Sequence, residues 1–215
     1  MSEEWSELSP ERIGRATASR ISDVIARTKT GYGASRANYA AELVAERLTG
    51  VQYSSGYENA AMRHGKETEP LARIAYELHA DTMVENGGFI IHPTIAMSGA
   101  SPDGLINNDG LVEIKCPSTS THIGTLKGES IADKYMVQMQ WQMACSKRLW
   151  CDWVSFDPRL PEEMRFFVQR IPRDNKRIRE LEDEVTIFLA EVEATVIYLR
   201  HKYQKGVVRA GLCDV

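Results

Sequence analysis

Two carboxylates ten positions apart, followed two positions later by a lysine, mark the stretch SGASPDGLINNDGLVEIKCP at 98–117: Asp103, Glu113 and Lys115. Hard cations such as Mg²⁺ prefer carboxylate oxygens and keep several of their waters. Two acids can therefore hold an ion against a phosphate while leaving positions on it open. Water on such an ion becomes a nucleophile near neutral pH, and the ion neutralises charge developing on phosphorus. A lysine beside the cluster can orient or deprotonate that water, because its pKa moves readily with desolvation. Asp, Glu and Lys in this spacing outline a site for phosphodiester hydrolysis.

The local sequence brings the three together. Ser101-Pro102-Asp103-Gly104 has proline and glycine where a β-turn wants them. NNDG at 107–110, between Leu105/Ile106 and Leu111/Val112, is a hairpin signal. Asp103 and Glu113 thus fall on neighbouring antiparallel strands. Side-chain alternation places Val112 and Ile114 on one face and Glu113 and Lys115 on the other. The competing reading is a solvated sheet face, where such pairs contribute only about 0–1 kcal/mol.

The block SPDG…VEIKCP resembles the PD-(D/E)XK nuclease superfamily, and within it the lambda exonuclease (YqaJ-like) family of phage recombination nucleases. Further matches follow in the family's order: RIGRATAS at 12–19, HGKETEPLAR at 64–73, KYMVQMQWQMA at 134–144 and FDPR at 156–159. The resemblance implies an α/β fold with a restriction-endonuclease-like core, a central mixed β-sheet flanked by helices. It also implies a 5′→3′ exonuclease dependent on Mg²⁺, with Mn²⁺ as a substitute and two ions per active site. Its implied partners are duplex DNA ends, a phage single-strand annealing protein and two further copies of the chain in a trimeric ring.

Residue by residue, the resemblance assigns Asp103, Glu113, Lys115, Glu69 and Gln138 to catalysis. It assigns Asp103, Glu113, Ile114 and Glu69 to the metal, with Glu69 approaching from a helix. Arg12, Ser19 and Ser101 match a pocket for the 5′-phosphate of the DNA end, which suits arginine's forked donors and serine hydroxyls. Met62 aligns with an apolar residue that wedges between terminal base pairs, with a core methionine as the alternative. Tyr135, one helical turn before Gln138, joins Lys29 as a DNA contact. The Q-x-x-x-Y form common in the superfamily is absent, since position 142 is Gln142. Where an arginine follows the family's E-x-K-C-P block, this chain reads Ser120-Thr121-His122, leaving that contact missing or supplied by Lys127.

Length and composition agree. A chain of 215 residues, 43% apolar, can bury one substantial α/β core, and no linker or repeat divides it, so one domain over 1–215 is expected. No signal peptide and no run of about 18 apolar residues is present, which with the resemblance points to the cytoplasm of a bacterial host. Cys116, Cys145, Cys151 and Cys213 show no C-x-x-C or zinc spacing, so reduced thiols are expected. The net charge of −4 conceals a basic stretch at 10–40, where Arg12, Arg15, Arg20, Arg27, Lys29 and Arg36 face only Glu11 and Asp23. Those cations are the candidate phosphate contacts, against the alternative of an ordinary charged helix surface.

Periodicity predicts helices at 17–27, 35–48 and 57–79, the last containing Gly65 and Pro70 and so breaking, bending or restarting near Glu69. Strands are expected at 82–91, 94–98, 103–106 and 111–116, then a helix at 131–146 and strands at 150–156 and 165–171. A terminal helix over 174–203 has Asp174 as its N-cap. Its stripe of Ile178, Leu181, Val185, Phe188, Leu189, Val192, Val196 and Leu199 faces the core or a coiled-coil partner. Three functions fit: the exonuclease, a structure- or site-specific endonuclease, and a catalytically silent DNA-binding module, against which the intact Asp103, Glu113 and Lys115 argue.

Overall fold

The structure, a computed structural model, describes residues 10–53 and 60–204; Cys213 and the expected helical start at 57–59 lie outside them. The apolar run after the NNDG turn makes the central strand. Leu111, Val112 and Ile114 are buried in β7 (Gly110–Lys115), which pairs antiparallel with β6 (Gly104–Ile106) through Gly104–Val112 and Ile106–Gly110. On its other edge β7 runs parallel to β8 (Trp150–Phe156), and β8 is antiparallel to β9 (Phe166–Pro172), giving the order β6-β7-β8-β9. A parallel pair requires a crossover. Here α4 (Thr119–Leu126) and α5 (Asp133–Ser146) supply it.

Helices cover both faces of this mixed sheet, as expected. Ala72 and Tyr76 of α3 (Ala60–Ala80) pack with Ile106, Val112, Ile114 and Val154. Met139 and Met143 of α5 pack with Leu111, Trp153 and Ile171 on the other face. A second core joins the opposite side of α5, through Trp141, to α1 (Ile21–Val24), α2 (Ala34–Thr49) and α6 (Asn175–Gln204). The α6 stripe is buried, Ile178 in the core between α5 and the sheet and Leu181 to Val196 in this second one, each such side chain contributing about 1.5–3 kcal/mol, so it serves the interior. Asp174 caps α6 as expected, its carboxylate accepting from Lys176 N and Arg177 N at 2.9 and 3.0 Å.

Four expectations are corrected. Helix α3 runs through Pro70 unbroken. Its buried residues Thr68, Ala72 and Tyr76 share one face while Pro70 is exposed on the other, so the hydrogen bond that proline forgoes is lost on the solvent side. The helix expected at 17–27 is a 3₁₀ turn (Ala18–Arg20) and the short α1; the chain then enters a hairpin of β2 (Arg27–Thr28) and β3 (Gly31–Tyr32), closed by Gly33 N on Ala26 O at 2.7 Å. The strand expected at 82–91 shrinks to β4 (Ile90–Ile91) and one bridge between Glu85 and Leu105, because Gly87-Gly88 interrupts it. The strand expected at 94–98 is displaced to β5 (Ser98–Ala100). The buried His92 imidazole accepts from Thr94 N and Ile95 N and folds 92–95 into a turn. Strand β5 pairs with β4 and, in parallel, with β1 (Ala16–Thr17).

Candidate active site

Asp103 sits in the turn that joins β5 to β6, and the turn is held at three points. A side chain on Gly104 would meet Val84 at 2.0 Å, so only glycine fits beneath the strand. Arg73 of α3 donates to the Asp103 carbonyl, and the Asp103 carboxylate accepts from Ile114 N at 2.6 Å. The last bond fixes Asp103 directly against β7, beside Glu113.

Glu113 is completely buried, which removes the solvated-face reading. Its Oε1 accepts from Lys115 Nζ and from Gln138 Nε2 at 2.6 Å; its Oε2 accepts from Gln142 Nε2 at 2.6 Å. A buried carboxylate is tolerable only with such charge-assisted partners. Gln138 therefore lies where the sequence placed it. Gln142, given no role by the sequence reading, is its equal. The signal was present: glutamines four apart share one helix face.

The electrostatics record crowded acids. Burial, then the Glu113 carboxylate, pushes Asp103 up to about 8 despite Lys115 and the Ile114 amide. Glu69 is also raised, by burial and by Glu113, against the opposing pull of Lys115 and Arg73. Burial alone would lower Lys115, but Glu113 and Asp103 outweigh it and raise its pKa, holding the ammonium. Lys115 also lies 5.3 Å from the centre of the Tyr135 ring.

A cavity of about 740 Å³ opens over this cluster, lined by Met62, His64, Glu69, Lys115, Tyr135 and Arg159 among others. Met62, 44% exposed, is no core residue. Ile114 lines the cavity too, yet its side chain is in the core, so only its backbone can serve there. Arg159 accounts for the FDPR motif. Its guanidinium grips the buried Asp157 at 2.7 and 3.0 Å and donates to Pro117 O at 3.1 Å, pinning the loop that follows Lys115. Burial would raise Asp157, but the bonds from Arg159 and Thr119 prevail and draw it down to about 2.

The residue set suits a hard cation that keeps its waters. Among the described residues no three His, Cys, Asp or Glu side chains stand close enough to enclose an ion, so the site is no closed cage. What it offers is a pair of carboxylates whose burial and mutual repulsion, both seen in the raised Asp103, a cation would relieve.

Of the three residues expected to form a 5′-phosphate pocket, two meet. Arg12 Nη1 donates to Ser101 Oγ at 3.1 Å, joining residues 89 positions apart, and its guanidinium lies 5.8 Å from the Phe89 ring. Ser19 is exposed in the 3₁₀ turn and hydrogen-bonds to neither. Lys29 is exposed at the tip of the β2–β3 hairpin. Three of the six cations of the basic stretch are tied up in ion pairs, which leaves Arg12, Arg15 and Lys29 as its candidate phosphate contacts. Arg20 pairs with Glu42 and Asp23, Arg27 with Glu184, and Arg36, only 3% exposed, with Glu191 and the Val24 carbonyl. His122 is buried between Ser155 Oγ and Met164 O and replaces no DNA contact. Cys116, Cys145 and Cys151 form no disulfide.

The model of the YqaJ-like viral recombinase domain matches residues 4–148. The crystal structure of LHK-Exo in complex with dAMP is 51% identical, covers 95% of this chain and 99% of its own, and superposes with a TM-score of 0.85. A second structure, of the alkaline exonuclease LHK-Exo from Laribacter hongkongensis, is 52% identical over 90% of this chain and 95% of its own, with a TM-score of 0.83. A phage-related exonuclease from Haemophilus somnus 129PT shares the fold at 15% identity, covering 86% of this chain and 96% of its own, with a TM-score of 0.66. Among curated proteins no significant match was found.

Proposed function

Since the chain belongs to the YqaJ-like viral recombinase family, we propose that it is a Mg²⁺-dependent exonuclease that digests one strand of duplex DNA in the 5′→3′ direction, leaving 3′ single strands for annealing. The observation that carries this reading is the hairpin site: Asp103, Glu113 and Lys115 together, with Glu113 gripped by Gln138 and Gln142 next to an open cavity.

Asp103 and Glu113 would hold the metal, with Glu69 and the Ile114 backbone beside them. Bound there, the ion supplies a nucleophilic water and neutralises charge at phosphorus. The remaining work belongs to side chains. Gln138 and Gln142 orient Glu113 so that neither oxygen rotates away, and Lys115, kept protonated, orients the attacking water and the phosphate. Tyr135 and Met62 line the approach, Met62 exposed where a wedge between base pairs must be. Arg12 and Ser101 take the 5′-phosphate, whose anchoring keeps the scissile bond in register.

A ring of three copies and an annealing partner complete the proposal. Leu71, Ile74 and Leu78, exposed at helical spacing on α3, are apolar surface open to such a contact. No helix among the described residues is long and apolar enough to cross a membrane, in keeping with work on DNA in a host cytoplasm.

Linear duplex labelled at either end, digested with and without Mg²⁺ beside closed circular duplex, tests the reading. Loss of the 5′ label first, only with metal, and an intact circle are expected. Cutting of the circle would make the chain an endonuclease, and no cutting of either would make it a binding module.

A further inference from the structure

Arg12 reaches Ser101 from a segment with little structure of its own. A 3₁₀ turn at Pro10–Arg12 leads into a turn closed by Arg15 N on Arg12 O at 3.1 Å. The third residue of that turn is Gly14, at φ +69°, a conformation that suits glycine. The loop's own ties are few: Ile13 N on Pro10 O at 3.3 Å, and the Arg15 guanidinium on Glu11 O and, across to the neighbouring turn, on Ala96 O at 3.1 Å. The turn itself is gripped from helix α2.

Both polar atoms of Gly14 are taken by consecutive residues near the end of α2. Glu46 Oε2 accepts from Gly14 N at 2.6 Å, and Arg47 Nε donates to Gly14 O at 2.9 Å. Arg47 is steadied in turn by Glu193 of α6 at 3.0 Å. The other oxygen of Glu46 accepts from Tyr53 N at 2.9 Å, so the carboxylate has no freedom to follow the turn if it moves. Glu46 is 8% exposed. Burying an anion is costly, and one backbone amide could be satisfied by a neutral acceptor. A carboxylate with both oxygens committed gives shorter bonds and a defined place. Ser101, at the other side of the pocket, follows β5, which pairs with β1 just after the Gly14 turn. The β1–β5 pairing thus ties the two halves of the pocket together, and the grip of α2 on Gly14 sets the Arg12 turn that precedes it.

We propose that Glu46 is a positioning residue for the DNA end: through Gly14 it holds the Arg12 turn in the register that Ser101 and the 5′-phosphate require. The inference rests on the reading of Arg12 and Ser101 as the phosphate pocket.

The test is the ratio of kcat/KM for 5′-phosphorylated to 5′-hydroxyl duplex ends in the full chain, with urea denaturation measured alongside. Glu46→Gln keeps the shape but has one acceptor oxygen for two amides. Gly14→Ala disturbs the same turn from the other side, since its Cβ would lie 2.7 Å from Arg47 Cγ in a left-handed conformation. Each variant should lower the ratio at least about tenfold, toward that of Arg12→Ala, with the hydroxyl-ended rate falling far less. If both variants keep the wild-type ratio, or lose both substrates equally, Glu46 is structural and the inference falls. If the wild type itself shows no preference for phosphate, the pocket reading fails and takes this inference with it.

Discussion

The N-terminal basic stretch and the β6–β7 hairpin handle charge in opposite ways. Along 10–40 the cations meet carboxylates brought from elsewhere: Arg20 meets Glu42, Arg27 meets Glu184 and Arg36 meets Glu191. In the hairpin, Asp103 and Glu113 share Lys115, with Glu69 close enough to feel both, and Asp103 is driven up to about 8. The fold has neutralised half of the first region's cations from within. It has left the second with acids so buried and crowded that a proton or a bound cation is needed to relieve them. A count of charges along the chain is therefore no map of the surface potential.

The contrast can be broken most sharply at the hairpin. Asp103→Ala and Glu113→Ala are each expected to lower single-turnover cleavage by at least about 10³-fold. Near-normal turnover in either would move the chemistry elsewhere.

Arg36→Ala probes the other region. Loss of its bidentate bond to Glu191, its bond to Val24 O and its stacking on Tyr32 at 3.8 Å should cost about 3 kcal/mol in urea denaturation. The salt dependence of DNA binding by the folded fraction should be unchanged. The reverse result, normal stability with a shallower salt slope, would return Arg36 to the DNA surface.

Gln142→Leu sharpens the hairpin side. It frees one oxygen of Glu113, and about 10–100-fold is expected to be lost in Mn²⁺ affinity measured by titration without DNA, with a parallel loss in turnover. Unchanged metal affinity would reduce Gln142 to packing.

Lys29→Ala carries the smallest effect. As an exposed cation at a hairpin tip it should lower the slope of log affinity against log salt by about 1, equally for all sequences. No change in slope would leave the whole stretch without a phosphate contact of this kind.

What could be read from the sequence was what is local. The SPDG turn, the NNDG hairpin and the E-x-K alternation each lie within a few residues, and the structure has Asp103, Glu113 and Lys115 together for those local reasons. The α6 stripe was legible because one periodicity repeats over many turns. Arg36 was misread because its partner is 155 positions away on another helix. The break expected at Pro70 failed because the identity of a residue does not tell which side of the helix meets water. Glu46 was invisible as one of 30 acids until the Gly14 turn was seen against it. Contacts made by the fold, rather than by neighbours in sequence, were the part that could not be read.

The crowding of Asp103 against Glu113 also sets activity against stability. A protein selected only to stay folded would not keep one fully buried and one half-buried carboxylate in one turn-and-strand corner. Asp103→Asn would keep the acceptor for Ile114 N while removing the repulsion from Glu113, so the inactive chain is expected to be the sturdier one. Glu113 allows no such clean exchange, because a glutamine there would offer Lys115, Gln138 and Gln142 one acceptor oxygen in place of two and would lose the charge that Lys115 pairs with. Of the two acids, Asp103 is the one whose exchange is expected to silence cleavage without loosening the frame, which makes it the place to try to trap the protein on intact DNA.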